Sequence, residues 1–238
     1  MAGDETKKIG VIGGMGPAAT LLFYQMVIEH TAACNDQQHI DMILLNHASM
    51  PDRTRALREG RRQELLEKLI EDARTLESCG ADGIVITCNT SYTLADEIQA
   101  GIGVPLLHMI REAARESASR FDGQSAKIAI LATDGTVESG IYQREVEKTG
   151  LTSYVPSVKN QRLVMKLIYD GVKSGGVIDF ADFTGIEREL EEAGCDGAIL
   201  ACTELSVFKE RFELPEFYLD AMLSLAKKTI AFAGKEYR

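Results

Sequence analysis

Gly80-Ala81-Asp82-Gly83-Ile84-Val85-Ile86-Thr87-Cys88-Asn89-Thr90 and Gly194-Cys195-Asp196-Gly197-Ala198-Ile199-Leu200-Ala201-Cys202-Thr203-Glu204 are two copies of one pattern. Each has Gly-x-Asp-Gly, then an apolar run, then one cysteine, and Cys88 lies six positions after Asp82 as Cys202 does after Asp196. An apolar run opened by Asp-Gly predicts a parallel strand buried on both faces. The cysteine then falls at the carboxyl end of its strand, where open α/β sheets place their ligands. Two equivalent thiols in two equivalent places point to one site shared by two halves of the chain.

Composition narrows the class. The chain has 238 residues, enough for one large domain or two small ones, and 45% of them are hydrophobic, which supplies a core. The net charge is −10, with acids and bases interspersed and no basic stripe, which argues against nucleic acid as a partner. No stretch approaches the roughly 20 apolar residues that span a bilayer. The start, Met1-Ala2-Gly3-Asp4-Glu5-Thr6, is polar, so a cytoplasmic protein with no membrane partner is expected. Five cysteines at irregular spacings, with no CxxC pair, fit neither a disulfide framework nor a structural zinc site. Cys34, Cys79 and Cys195 read as small buried hydrophobes.

From the first repeat outward, Lys8-Ile9-Gly10-Val11-Ile12-Gly13-Gly14-Met15-Gly16-Pro17 is a strand running into a glycine-rich turn, with a helix from about Ala18 to His30. Pro17 suits the first helical turn, and a helix N-terminus behind glycines offers backbone donors to an anion. Gly14-x-Gly16-x-x-Ala19 loosely fits a dinucleotide fingerprint, but the second strand, Ile40 to Asn46, ends in Asn46-His47 without the acid such a site wants. A small anion such as a carboxylate fits the turn better than a nucleotide, and no cofactor is expected. The loop Asn46 to Thr54 follows at the same sheet edge. Its Arg53 is a planar fork suited either to a carboxylate or to a structural cap, and His47 reads as structural. Arg61 to Glu77 has helical spacing, and the third strand delivers Cys88. Asn89-Thr90-Ser91 are capping types that open a helix through Ala100, so the Cys88 thiolate meets a helix dipole. Val104 to Ile110 reads as a fourth strand leading into a helix, and Ser117 to Ser125, with Asp122-Gly123, as a connector.

The pattern then restarts. Lys127 to Thr133 matches the first strand, and Asp134-Gly135-Thr136 takes the place of the glycine-rich turn. Tyr142 lies 118 residues after Tyr24, and Cys202 lies 114 after Cys88, a near-constant offset that marks an internal duplication. Leu151 to Pro156 is the second strand of this copy. Helices are predicted at Gln161–Val172, Phe180–Glu192 and Asp220–Phe232, the last returning to the first lobe. The expected fold class is α/β: two pseudo-symmetric flavodoxin-like or Rossmann-like lobes, each a parallel sheet flanked by helices, with the site in the cleft between them. Residues 1–107 with 216–238 form the N-terminal lobe, and 108–215 the C-terminal lobe.

Two thiols in one cleft admit several uses. A metal would draw histidines or carboxylates to the same loops, and the chain has only four histidines. A redox pair needs less symmetry than is present. Nucleophilic thiol catalysis wants a histidine beside the cysteine, and neither has one. Proton transfer at a stereocentre wants one base on each face, a role for which thiols are readily tuned. On the residues alone, racemisation or epimerisation stands beside a metal or redox protein.

Ile12-Gly13-Gly14-Met15-Gly16-Pro17-x-Ala19-Thr20, Pro51-Asp52-Arg53-Thr54, Thr87-Cys88-Asn89-Thr90 and Cys202-Thr203-Glu204-Leu205, in this order, resemble the motifs of the cofactor-independent aspartate/glutamate racemases, the Asp/Glu/hydantoin racemase superfamily. The resemblance covers roughly Lys8 to Ala233. It implies racemisation of an amino acid without pyridoxal phosphate or metal, usually by a homodimer. It carries over Cys88 and Cys202 as the base and acid, and Asn89, Thr90 and Thr203 as carboxylate binders. Arg53 is similar to the family's arginine that meets a substrate carboxylate, and Lys173 matches a family lysine better than Lys166 does. Met15, Gly16, Thr133 and Glu204 complete the expected substrate-binding set. Glu204, two residues after Cys202, would oppose a thiolate there or orient it. Two departures bear on the substrate, which is expected to be aspartate, glutamate, both or a different amino acid. The family often continues Cys-Asn-Thr with Ala-His, whereas this chain has Ser91-Tyr92. Near the C-terminus, where the family tends to carry Asp followed by Thr and His, only Asp220 of Asp220-Ala221-Met222-Leu223-Ser224 remains.

Overall fold

The computed structural model describes residues 6–122, 124–177 and 180–238. The polar start Met1–Glu5 and Gly123 of the expected connector lie outside the described residues. The elements in order are β1 (Ile9–Gly13), α1 (Pro17–His30), β2 (Met42–Asn46), α2 (Arg53–Arg58), α3 (Arg62–Ser78), β3 (Gly83–Ile86), α4 (Ala95–Ala100) and α5 (Met109–Arg120), then β4 (Lys127–Leu131), α6 (Asp134–Ser139), α7 (Ile141–Glu147), β5 (Thr152–Tyr154), α8 (Val158–Lys166), α9 (Phe180–Glu192), β6 (Gly197–Leu200), α10 (Thr203–Phe212), β7 (Tyr218–Asp220) and α11 (Ala221–Phe232). Short 3-10 turns occupy Asp36–Gln38 and Asn89–Leu94, and a π-helical turn runs over Leu167–Lys173.

The chain divides into two compact units, Met1–Met109 with Met222–Arg238, and Ile110–Ala221. The first has the parallel sheet β2-β1-β3, and the second the parallel sheet β5-β4-β6-β7. In each, the strand that opens the unit is central and the cysteine strand lies beside it. β1, β3 and β6 are buried along their whole length, as strands covered on both faces must be.

The Gly-x-Asp-Gly letters of the repeat are structural, and they do the same work twice. Gly80 (φ +85°) and Gly194 (φ +64°) follow the ends of α3 and α9 in the left-handed region. Their N–H groups donate to the Glu77 and Glu191 carbonyls, and those of Ala81 and Cys195 to the Leu76 and Leu190 carbonyls. This is the Schellman arrangement that ends a helix. Asp82 then accepts the Lys8 N–H at 2.7 Å and returns its own N–H to the Lys8 carbonyl. Asp196 makes the same exchange with Lys127, accepting at 2.8 Å. Each aspartate therefore sets the register of its cysteine strand against the central strand.

Several expectations shift. The strand expected over Val104–Ile110 is a single parallel bridge between Leu106 and Ile84. Pro105 has no N–H to donate, so pairing rests on Ile84 N–H to the Pro105 carbonyl and Leu107 N–H to the Ile84 carbonyl. Beyond it the Tyr92 hydroxyl takes the ladder position, accepting the Ile86 N–H at 3.1 Å and donating to the Leu107 carbonyl at 2.9 Å. In the other unit β7 occupies the equivalent place, pairing with β6 in parallel. Because Tyr218–Asp220 belongs to that sheet, the division falls after Ala221, and residues 216–221 lie outside the first unit, where they were expected. The helix α5 runs through Arg120, into the expected connector. The helix expected over Gln161–Val172 is split into α8 and the π-helical turn.

Tyr92→Phe should cost about 2 kcal/mol, because it leaves one buried backbone donor and one acceptor without this partner. Urea unfolding reads this as a lower midpoint at unchanged slope. An unmoved midpoint would refute the ladder role.

The second unit's core includes the rings of Phe183, Phe208 and Tyr218, with Phe183 centred 4.9 Å from Phe208 and 5.2 Å from Tyr218. Among the described residues no helix is long and apolar enough to cross a membrane.

Candidate active site

In the first unit β1, β2 and β3 end together, and three loops leave their carboxyl ends. After β1, Gly13 and Gly14 turn the chain, and Met15-Gly16 leads through a cis peptide into α1. Thr20, one turn into α1, ties this loop down. Its hydroxyl oxygen lies 3.0 Å from the Gly14 N–H that it accepts, and 2.9 Å from the Thr87 hydroxyl at the end of β3. Thr20 and Thr87 stand in the sequence motifs with no sign there of their pairing. The signal for Thr20 was the four-residue spacing from Gly16, whose carbonyl Thr20 also meets.

After β2, Asp52 caps α2 by accepting the Arg55 N–H at 2.9 Å. Arg53 is buried, 7% exposed. Its Nη1 donates to the Pro51 carbonyl at 3.0 Å and its Nη2 to the Met15 carbonyl at 3.1 Å. The guanidinium thus joins the β1 loop to the β2 loop. His47 is structural, as expected, with Nδ1 2.8 Å from Asp72 Oδ2. Burial pushes the Asp72 carboxyl up, and the His47 contact pulls it back.

After β3, Cys88 stands with extended backbone as N-cap of the Asn89–Leu94 turn. Cys88, Asn89, Thr90 and Ser91 are all buried. Ser91 Oγ lies 3.6 Å from Met15 Sδ, which brings this loop against the first. Tyr92 is 1% exposed, and its hydroxyl is committed to the edge of β3.

The second unit repeats the arrangement. Thr133 caps α6 after β4 by accepting the Thr136 N–H. Cys202 stands as N-cap of α10 after β6, again with extended backbone and buried. Its thiol donates to Glu204 Oε2 at 2.9 Å. Lys173, at the end of the π-helical turn, has Nζ 3.8 Å from Glu204 Oε1 and 4.5 Å from the Tyr169 ring centre. Lys166 instead pairs with Asp182 at 2.7 Å. Asp220 is buried in β7 and accepts from Ser206 Oγ at 2.7 Å, a pairing that sequence gave no sign of. Burial pushes the Cys202 thiol well above its usual range, and the Glu204 carboxylate pushes it further, against an opposing pull from Lys173. Among the described residues no cluster of three or more His, Cys, Asp or Glu could hold a metal ion.

Each unit therefore brings its expected residues to the carboxyl end of its own sheet: Met15, Gly16, Arg53, Cys88, Asn89 and Thr90 in one, Thr133, Lys173, Cys202, Thr203 and Glu204 in the other. A parallel α/β protein with one buried thiol at the same strand end of each of two like units is the class that fold and residues define. Residues 12–228 match the family model described as Asp/Glu/Hydantoin racemase, and the chain belongs to that family of isomerases. The broad specificity amino-acid racemase RacX of Bacillus subtilis is 28% identical over 94% of this chain and 96% of its own length. The structure of Picrophilus torridus aspartate racemase is 30% identical, with a TM-score of 0.79 over 98% of this chain and 96% of that one. An aspartate racemase homologue from Pyrococcus horikoshii is 26% identical, with a TM-score of 0.75 over 96% of this chain and 99% of that one.

Proposed function

We propose that this protein racemises an acidic amino acid, aspartate or glutamate or both, by two-base proton transfer between Cys88 and Cys202, without a cofactor. The observation that carries the reading is the equivalence of the two thiols. Each is buried, each follows the third strand of its unit, which pairs with the strand that opens the unit, and each is the N-cap of the helical turn that follows. The reading puts them on opposite faces of one Cα. A thiolate takes the α-proton, the electron pair passes toward the α-carboxylate, and the other thiol returns a proton from the far side. Backbone N–H groups behind each cysteine, with Asn89, Thr90 and Thr203, are suited to hold that carboxylate and the charge that builds on it. Arg53 serves by holding Met15 and Pro51 in place, and its positive charge, with that of Lys173, favours a substrate carrying a second carboxylate. The names of the relatives, an aspartate racemase and a broad-specificity racemase, agree with an acidic substrate within a wider range. A cytoplasmic homodimer belongs to the same proposal, on the acidic composition and the family resemblance.

The test is a panel of single amino-acid enantiomers incubated in deuterated water, scored for loss of optical rotation and for deuterium at Cα. Aspartate or glutamate should do both, and activity should survive dialysis against a chelator and removal of pyridoxal phosphate. If no member of the panel exchanges its α-proton, the reading fails.

A further inference from the structure

The two copies of the cysteine motif differ where it matters for a proton. Two residues after Cys88 stands Thr90, and two residues after Cys202 stands Glu204. A hydroxyl carries no charge to oppose a thiolate beside it, whereas a carboxylate does. Glu204 is 3% exposed, and its Oε2 receives the Cys202 thiol proton at 2.9 Å. Thr203 Oγ1 reaches the same oxygen at 3.5 Å, too long to add much. Oε1 is buried and accepts no hydrogen bond from the described residues, and its nearest cation is Lys173 at 3.8 Å. A buried carboxylate held this sparingly gains from every proton directed at it.

We propose that Glu204 is a positioning residue that keeps the proton of the thiol pair on Cys202 in the resting enzyme, with Lys173 limiting that hold so that the proton can still leave. The proposal rests on the two-thiol reading above. In one turnover Cys88, as thiolate, forms an S–H bond with the α-proton. The Cα–H electron pair moves toward the carboxylate, and Cys202 breaks its S–H bond to reprotonate Cα. Cys202 is left as thiolate beside Glu204, its less favourable state. Cys88 then loses its proton to water and Cys202 regains one, which restores the resting arrangement. The duplication supplied two like thiols, and the Thr-to-Glu difference makes one of them the acid.

Among the described residues, the charged groups that act on the Cys202 thiol are Glu204 and Lys173. Lys173 and the Tyr169 ring belong to the π-helical turn. On β7, Asp220 is engaged by Ser206, and at the start of α6, Asp134 Oδ1 accepts from Gln161 at 2.8 Å. Glu204 is thus the carboxylate in contact with the thiol.

The experiment follows alkylation of Cys202 by iodoacetamide against pH in the intact enzyme, with the Cys202 peptide quantified by mass spectrometry. The pH midpoint reports the thiol and is independent of how slowly reagent reaches a buried site. Glu204→Gln should move the midpoint down by at least one pH unit, a tenfold change in proton affinity. Lys173→Met should move it up, and this second variant keeps the test decisive if the first does not fold. The Cys88 midpoint should stay in place in both. An unmoved Cys202 midpoint in Glu204→Gln, or a fall in Lys173→Met, overturns the proposal. So does a Glu204→Gln enzyme that only raises KM, since that marks a substrate contact. These outcomes are separate from the fate of the two-thiol reading. An unmoved midpoint in an enzyme that still racemises overturns this inference alone. Midpoints that move as expected in the two variants, with a wild type that racemises nothing, overturn the other alone.

Discussion

Cys202→Ser is expected to lower racemisation by about 10³-fold or more, and Cys88→Ser by a similar factor. Positioned acid–base groups contribute roughly 10² to 10⁴ each, and a serine hydroxyl is too weak an acid to replace a thiol at working pH. Loss of rate alone would not separate a lost base from a damaged fold, but isotope exchange does. On the proposed mechanism each single variant retains one base, so it should still wash deuterium into Cα of one enantiomer while inverting little of it. The two variants should choose opposite enantiomers. The double variant should do neither. Both cysteines are buried N-caps without a side-chain capping bond, so serine in their place should leave the local structure intact. Unchanged circular dichroism checks this. A Cys202→Ala enzyme that racemises at the wild-type rate would remove the two-base mechanism outright.

Much of this was legible in the sequence because the duplication prints every important feature twice. Strands buried on both faces leave unbroken apolar runs, and Ile84–Ile86 and Ala198–Leu200 are such runs. The place of the two cysteines followed from counting along those runs. What stayed hidden were contacts between residues far apart in sequence. Arg53 read as a fork for a carboxylate or a structural cap, and nothing in Pro51-Asp52-Arg53-Thr54 tells that its guanidinium donates to Met15, 38 positions earlier. Tyr92 read only as a departure bearing on the substrate, because its part in the β3 edge depends on Pro105 having stopped a fourth strand. The Lys173–Glu204 contact needed the π-helical turn, a one-residue widening that periodicity does not reveal. Side-chain types announce what a residue can do, whereas long-range partners decide what it does.

Gly14→Ala should be the most damaging single methyl group in the first unit, and it tests how far the site depends on the meeting of two loops. Gly14 has φ +86°, a conformation that costs an L side chain about 1–2 kcal/mol by itself. A Cβ there would lie 2.5 Å from the His47 carbonyl carbon and 2.6 Å from the Ala48 nitrogen. These are backbone atoms, and they cannot swing aside as a long side chain would. Either the β1 loop or the β2 loop must shift, and the loss should reach about 3 kcal/mol, roughly 6–12 °C in Tm. Gly150→Ala is the matched control. Its φ is +87° and a Cβ would meet nothing within 4 Å, so it should show the backbone strain alone. The excess in Gly14→Ala is then the loop contact. Any shift of the β1 loop carries the Met15 carbonyl away from Arg53 Nη2, so the altered enzyme should lose activity beyond its loss of stability, measured well below its Tm. Gly150 lies outside all of these loops, and its variant should racemise as the wild type does. Equal losses of stability in the two variants, or full activity in folded Gly14→Ala, would show that the β1 and β2 loops do not depend on each other for the geometry of the site.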